Sequence, residues 1–87
     1  MPLIFEAYMV IGVTLVKVAP GFERSVFDTL QSISGFKELY HLFGEFDFLV
    51  ILEVENLPQL SKTVDKIRAV EGVVTTRTVV GAEVEGL

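Results

Sequence analysis

Between Ala7 and Val18 the chain reads AYMVIGVTLVKV. Valine, isoleucine, tyrosine and threonine dominate it, which favours an extended strand. Met9, Ile11, Val13 and Leu15 alternate onto one face, and Val10, Val16 and Val18 onto the other. A strand that is apolar on both faces belongs in the middle of a sheet. Pro20-Gly21 ends it. A second stretch of this kind lies further on. Phe46, Phe48, Val50, Leu52 and Val54 line one face, with Leu49 and Ile51 on the other.

The segments around these two strands supply the rest of the fold. From Phe22 to Ser32 the spacing predicts a helix: Phe22, Val26, Leu30 and Ile33 form one stripe, and Glu23, Arg24, Asp28 and Gln31 take the opposite face. Gly35 suits a helix stop because it tolerates positive φ. Phe36 to Phe43 reads as a less regular strand carrying Lys37, Glu38 and His41, as suits a sheet edge. Asn56 opens a second helix. Gln59 follows three residues later in a capping-box pattern, Pro58 sits in the first turn, and Leu57, Leu60, Val64 and Ile67 form the inner stripe. Gly72 ends that helix. Val73 to Val80 is a final β-branched strand, and 81–87 form a short tail.

The element order is β-α-β-β-α-β. A weak echo supports two βαβ halves: Ile33-Ser34-Gly35-Phe36 and Val70-Glu71-Gly72-Val73 recur at a spacing of 37 residues. Right-handed crossovers then give an α+β, ferredoxin-like fold, an antiparallel sheet with both helices on one face. Its usual strand order, 4-1-3-2, puts the two doubly apolar strands in the centre. The other sheet face is left bare. At about 25 cal/mol per Å², wetting several hundred Å² of it forfeits several kcal/mol, comparable to the whole stability of a small domain. Packing against a second copy, sheet to sheet, removes that cost and gives a symmetric dimer.

Composition agrees. At 87 residues the chain is sized for a single domain, with a core expected over about 7–80. Mean hydropathy of +0.55 is high for so small a domain and again asks for a partner surface. The net charge of −5 disfavours direct binding to a phosphate backbone. Cysteine is absent, which excludes disulfides and thiolate metal sites and suits a reducing cytoplasm. The uncharged run from Ala7 to Val16 has ten residues, about half of what a membrane-spanning helix needs. No Lys or Arg precedes it, as one would in a signal peptide.

Three pieces then resemble a known family. They are Val18-Ala19-Pro20-Gly21 at the end of the first strand, Gly44-Glu45-Phe46-Asp47-Phe48, similar to a G-x-[FY]-D-[FY] turn, and Gly72-Val73-Val74-Thr75-Thr76-Arg77-Thr78, similar to a G-V-x-x-T-x-T strand. In this order and spacing they resemble the ligand-sensing RAM domain of the Lrp/AsnC, or feast/famine, transcriptional regulators, over about Ala7 to Val80. The resemblance implies a dimeric α+β barrel whose dimers assemble into octamers or decamers. It implies a small effector, usually an amino acid, between dimers. Only six residues precede the first strand, so the expectation is a stand-alone module without the family's helix-turn-helix domain and without direct DNA binding. Full-length regulators of the family are then candidate partners.

The residues themselves leave two readings open. Asp47 offers a carboxylate to an α-ammonium group, and Gly44, in a left-handed conformation, bares its amide. Equally, a turn glycine and a carboxylate that satisfies turn amides are ordinary turn chemistry. The resemblance adds Glu45 and Phe46 to this ligand loop. Thr76 and Thr78 share a face and can donate hydroxyls to a ligand carboxylate, whereas Thr75 reads as strand propensity alone. Arg77 points the other way, towards a surface or inter-subunit ion pair. His41 is the only histidine, so neither a metal site nor a catalytic triad is expected. Lys62, Lys66 and Arg68 read as a solvated helix face.

The expected function is thus a non-catalytic, oligomeric amino-acid sensor without cofactor. The alternative is a small cofactor-less monooxygenase or isomerase of the dimeric α+β barrel type, with His41 or Asp47 as base in a pocket inside each subunit. Tyr40 is expected to face away from His41 and to pack in the dimer.

Overall fold

Two strands carry the sheet. In a computed structural model that describes residues 9–82, β1 (Val10–Val18) and β3 (Phe48–Val54) lie side by side in the centre. They pair antiparallel, with Val10 opposite Val54 and Val16 opposite Phe48. β2 (Phe36–His41) flanks β3 and β4 (Val73–Ala82) flanks β1, so the order is β2-β3-β1-β4. This is the expected ferredoxin-like order. Helices α1 (Glu23–Leu30) and α2 (Leu57–Arg68) supply the two crossovers.

One face of the central strands meets the helices. Val16 and Val18 of β1, and Phe48, Val50, Leu52 and Val54 of β3, are buried with Val26 and Leu30 of α1 and Leu60, Val64 and Ile67 of α2. Gly12 in mid-strand marks the closest approach of α2: a β-carbon there would fall 2.6 Å from Leu60 Cδ1. The cap of α2 forms as the spacing predicts. Asn56 Oδ1 accepts from the Gln59 amide at 2.8 Å, and Gln59 Oε1 accepts in return from the Glu55 amide at 3.1 Å.

Several boundaries differ from the sequence reading. Helix α1 is shorter at both ends: Phe22 is its cap and Ile33 lies beyond it, because no side chain caps the start and the chain turns at Ser34-Gly35. Strand β2 stops at His41, leaving Phe43 in the loop and 93% exposed. Leu57 sits on the outer side of the first turn of α2 and is exposed, while Thr63 takes the inner place. Strand β4 runs on through Gly81 and Ala82, which pair with Ile11 and Val10. The expectations for 7–8 and for 83–87 lie outside the described residues.

Among the described residues no helix lies on the opposite face of the sheet. Ile11, Val13, Leu15, Leu49 and Ile51 are only partly buried there, and Val79 is exposed. Two rungs cross it. One runs Tyr40, Leu49, Leu15, Arg77; the next runs Glu38, Ile51, Val13, Val79.

Candidate functional site

The β2–β3 loop is closed by Asp47. The Leu42 amide donates to the Asp47 carbonyl at 2.8 Å, and the Asp47 amide donates to the Val16 carbonyl at 2.9 Å. The carboxylate then reaches over β1, where Oδ2 accepts from the Val18 amide at 2.7 Å. Oδ1 makes no hydrogen bond among the described residues. Turn chemistry is therefore part of what Asp47 does, and one oxygen is left over. Lys17 Nζ donates to the Glu45 carbonyl at 3.3 Å, which pins the loop from the other side. Gly44 has φ 158°, at the extended limit of the positive region rather than at the expected left-handed turn value. The Phe46 ring lies 5.7 Å from the Arg77 guanidinium.

Thr76 and Thr78 share the helix-side face of β4, opposite Val16 and Thr14. Thr78 Oγ1 is 2.9 Å from Thr14 Oγ1, a pair that satisfies the buried Thr14 hydroxyl. Thr76 Oγ1 accepts from Arg68 Nε at 3.2 Å, which keeps its own proton available as a donor. Arg68, read from sequence as part of a solvated face, thus joins the site, and it also pairs with Asp65 at 3.6 Å. Thr76 lines a cleft of about 260 Å³ with Arg68 and Thr75, and Thr78 lines another of about 320 Å³ with Leu57 and Val80. The loop lines neither. Thr76 and Thr78 lie on the helix side of β4, whereas the loop meets the same strand through Phe46 at Arg77, which faces the other side.

The remaining candidates are less equipped. The His41 ring packs at 5.0 Å from Phe43 and 5.4 Å from Phe48, in an open cleft with Phe27, Glu23 and Arg24. No group of three or more His, Asp or Glu among the described residues could hold a metal. No helix among them is long and apolar enough to cross a membrane. One polar cleft escaped the sequence reading: Ser34, Glu53, Glu55, Lys62, Thr63 and Lys66 border about 460 Å³ near the start of α2. These residues are scattered along the chain, so no local pattern announced it.

Residues 8–83 match the family model described as the Lrp/AsnC ligand binding domain. The chain belongs to this family. The HTH-type transcriptional regulator LysM of Saccharolobus solfataricus is 33% identical over 51 residues, covering 59% of this chain and 36% of LysM. A homocitrate synthase of Sulfurisphaera tokodaii is 35% identical over 57 residues, 66% of this chain but 12% of that enzyme. The chain therefore spans about a third of the regulator's length and far less of the enzyme's. Among solved structures, FFRP-DM1 superposes with a TM-score of 0.79 and 32% identity, covering 83% of this chain and 97% of that one. The transcriptional regulator NMB0573 of Neisseria meningitidis, solved as a complex with L-Met, shares the fold with a TM-score of 0.71 and 16% identity, over 87% of this chain and 50% of that one. The ligand-binding domain is an effector-binding module, and the ferredoxin-like fold is that of its relatives.

Proposed function

We propose that this chain is a cytoplasmic, oligomeric sensor of an amino acid, and not an enzyme. The observation that carries the reading is the match to a ligand-binding domain across 8–83. The L-Met complex of a regulator with the same fold supports an amino acid as effector. The uncovered apolar sheet face supports a sheet-to-sheet dimer.

The effector binds where two dimers meet, in an octameric or decameric ring. Asp47 Oδ1, with the Gly44-Glu45-Phe46 loop, receives the α-ammonium group. Thr76, with Arg68 beside it, and Thr78 of a neighbouring dimer receive the α-carboxylate. A ligand held between the loop of one dimer and the threonines of another links the two and shifts the population towards the ring. Co-assembly with a regulator that carries a DNA-binding domain would transmit that state. The enzyme alternative needs His41 or Asp47 free in an inner pocket. His41 instead packs on two aromatic rings and lines an open cleft with Phe27, Glu23 and Arg24.

Calorimetry with a full amino-acid panel tests this, run on the parent and on Asp47→Ala, together with sedimentation velocity. The expected result is heat and a mass increase with at least one amino acid, both lost in the variant. A panel that changes neither heat, mass nor thermal midpoint overturns the reading.

A further inference from the structure

The chain has seven Lys and Arg residues, and most of them are engaged. Arg24 pairs with Asp28 at 3.4 Å, Lys37 with Glu53 at 3.3 Å and Arg68 with Asp65 at 3.6 Å. Lys17 reaches the Glu45 carbonyl, and the Arg77 guanidinium rests on the Phe46 ring. Lys62 and Lys66 are left. Among the described residues neither has an ion-pair partner, although the chain as a whole carries a net charge of −5. They stand one turn apart on the same side of α2, a spacing at which like charges repel.

Both lysines border the polar cleft of about 460 Å³, together with Ser34, Glu53, Glu55 and Thr63. That volume suits a small ligand. The Glu53 carboxylate is taken by Lys37, whereas Glu55 has no ion-pair partner among the described residues; its amide is held by Gln59 Oε1 at 3.1 Å, which fixes its backbone. Thr63 is 7% exposed, and its hydroxyl reaches the Ser34 carbonyl only at 3.5 Å, too long for a strong bond. The cleft thus brings together two unpaired ammonium groups, one unpaired carboxylate and hydroxyls with capacity to spare, and the opposite charges do not pair with each other. Its place in the fold separates it from the Gly44–Asp47 loop. It lies where Val10 pairs with Val54, and the loop meets the sheet where Val16 pairs with Phe48, about 20 Å along the central strands. It opens beside α2, on the helix side, so a sheet-to-sheet dimer leaves it uncovered.

We infer that this cleft is a second ligand site, and that it takes a small acidic amino acid of the aspartate or glutamate class. The two carboxylates of such a molecule meet Lys62 and Lys66, and its ammonium group meets Glu55. The Ser34 and Thr63 hydroxyls donate to the same carboxylates. Charge sets the selectivity. A ligand with two negative groups and one positive group matches two cations and one anion. A neutral amino acid leaves one lysine unpaired, and a dicarboxylate without an ammonium group places an anion against Glu55. The site needs neither Asp47 nor a neighbouring dimer, so it stands apart from the sensor site of the proposed function.

The test is calorimetry at low salt on the parent and on Asp47→Asn, which lacks the carboxylate of the loop site, with L-glutamate, L-aspartate, L-glutamine and glutarate as probes. L-Glutamate or L-aspartate is expected to bind Asp47→Asn. L-Glutamine, which lacks the second anion, and glutarate, which lacks the ammonium group, are each expected to bind about three- to tenfold more weakly. In the same background Lys62→Gln and Lys66→Gln are each expected to raise the dissociation constant about three- to tenfold, and Glu55→Gln to weaken L-glutamate while strengthening glutarate. Circular dichroism confirms that these exposed substitutions leave the fold intact. No heat from either acidic amino acid in Asp47→Asn overturns the second site, as does an unchanged affinity when both lysines are replaced. Glutarate binding as tightly as L-glutamate overturns the pairing of the ammonium group with Glu55. Failure of the sensor site reads differently: L-glutamate heat then persists while no amino acid distinguishes the parent from Asp47→Asn.

Discussion

Asp47 holds Val18 by its side chain and Val16 by its backbone: Oδ2 accepts from the Val18 amide at 2.7 Å, and the Asp47 amide donates to the Val16 carbonyl at 2.9 Å. One residue thereby clamps the β2–β3 loop to the end of a central strand. A loop held in this way is ordered before any ligand arrives, so binding does not have to immobilise it. The clamp also means that Asp47 has a structural role separable from the proposed ligand role.

Substituting Asp47 separates the two. In Asp47→Ala the Val18 amide loses a charged acceptor, with an expected loss of about 2 kcal/mol in urea unfolding. In Asp47→Asn the side-chain oxygen can still accept from Val18, and the expected loss is below about 1 kcal/mol. The asparagine variant has no charge for an ammonium group. Calorimetry is therefore expected to show it folded and blind to the effector. Binding retained in Asp47→Asn would remove Asp47 as the ammonium partner.

The fold was legible because its two central strands are apolar on both faces and its turns are written in local chemistry: Pro20-Gly21, Gly35, Asn56 with Gln59, and Gly72. Misplaced ends came from residues whose burial depends on distant partners. Leu57 fits the helical stripe by spacing, yet it sits in the first turn on the rim of an open cleft and stays exposed. The site was legible only in part. The Gly44–Asp47 motif is contiguous, but Arg68 reaches Thr76 through the packing of α2 on β4, which no spacing encodes. The pairing of Thr14 with Thr78, 64 residues apart, is hidden for the same reason.

Gly72 gives a test of the packing between the two βαβ halves. Its φ is 100°, and a β-carbon there would lie 2.6 Å from Phe22 Cγ, at the cap of α1. Gly72→Ala combines backbone strain with a steric overlap that backbone or ring must move to relieve. The expected destabilisation is about 2–4 kcal/mol, measured by urea unfolding. Gly21 also has positive φ, at 94°, but nothing lies within 4 Å of a β-carbon there. Gly21→Ala is therefore expected to cost less, about 1–2 kcal/mol from strain alone. Equal losses at the two positions would refute the packing contribution.

The Thr14–Thr78 pair predicts an asymmetric double-mutant cycle. Thr14 is fully buried, whereas Thr78 is partly exposed. Thr78→Val leaves a buried hydroxyl unpaired and is expected to cost about 2 kcal/mol. Thr14→Val leaves a hydroxyl that water can reach, with an expected cost of about 1 kcal/mol. Replacing both removes donor and acceptor together and is expected to be nearly neutral. The double variant then offers a stable protein in which the contribution of the Thr78 hydroxyl to effector affinity can be read without unfolding.

Tyr40 supplies a reporter of the bare sheet face. Its hydrogen bond to the Glu38 carboxylate, together with the negative charge of that carboxylate, raises the phenol above its ordinary value of 10.0. The neutral phenol is the form that donates this bond. Its contribution to stability is therefore present below the ordinary value and is lost as pH rises through the higher folded value. In a Tyr8→Phe background, ultraviolet titration of Tyr40 is expected to give an elevated midpoint, and Glu38→Gln is expected to bring it back towards 10.0. A parent midpoint at 10.0, or one that Glu38→Gln leaves unchanged, would remove the Glu38 carboxylate as the cause.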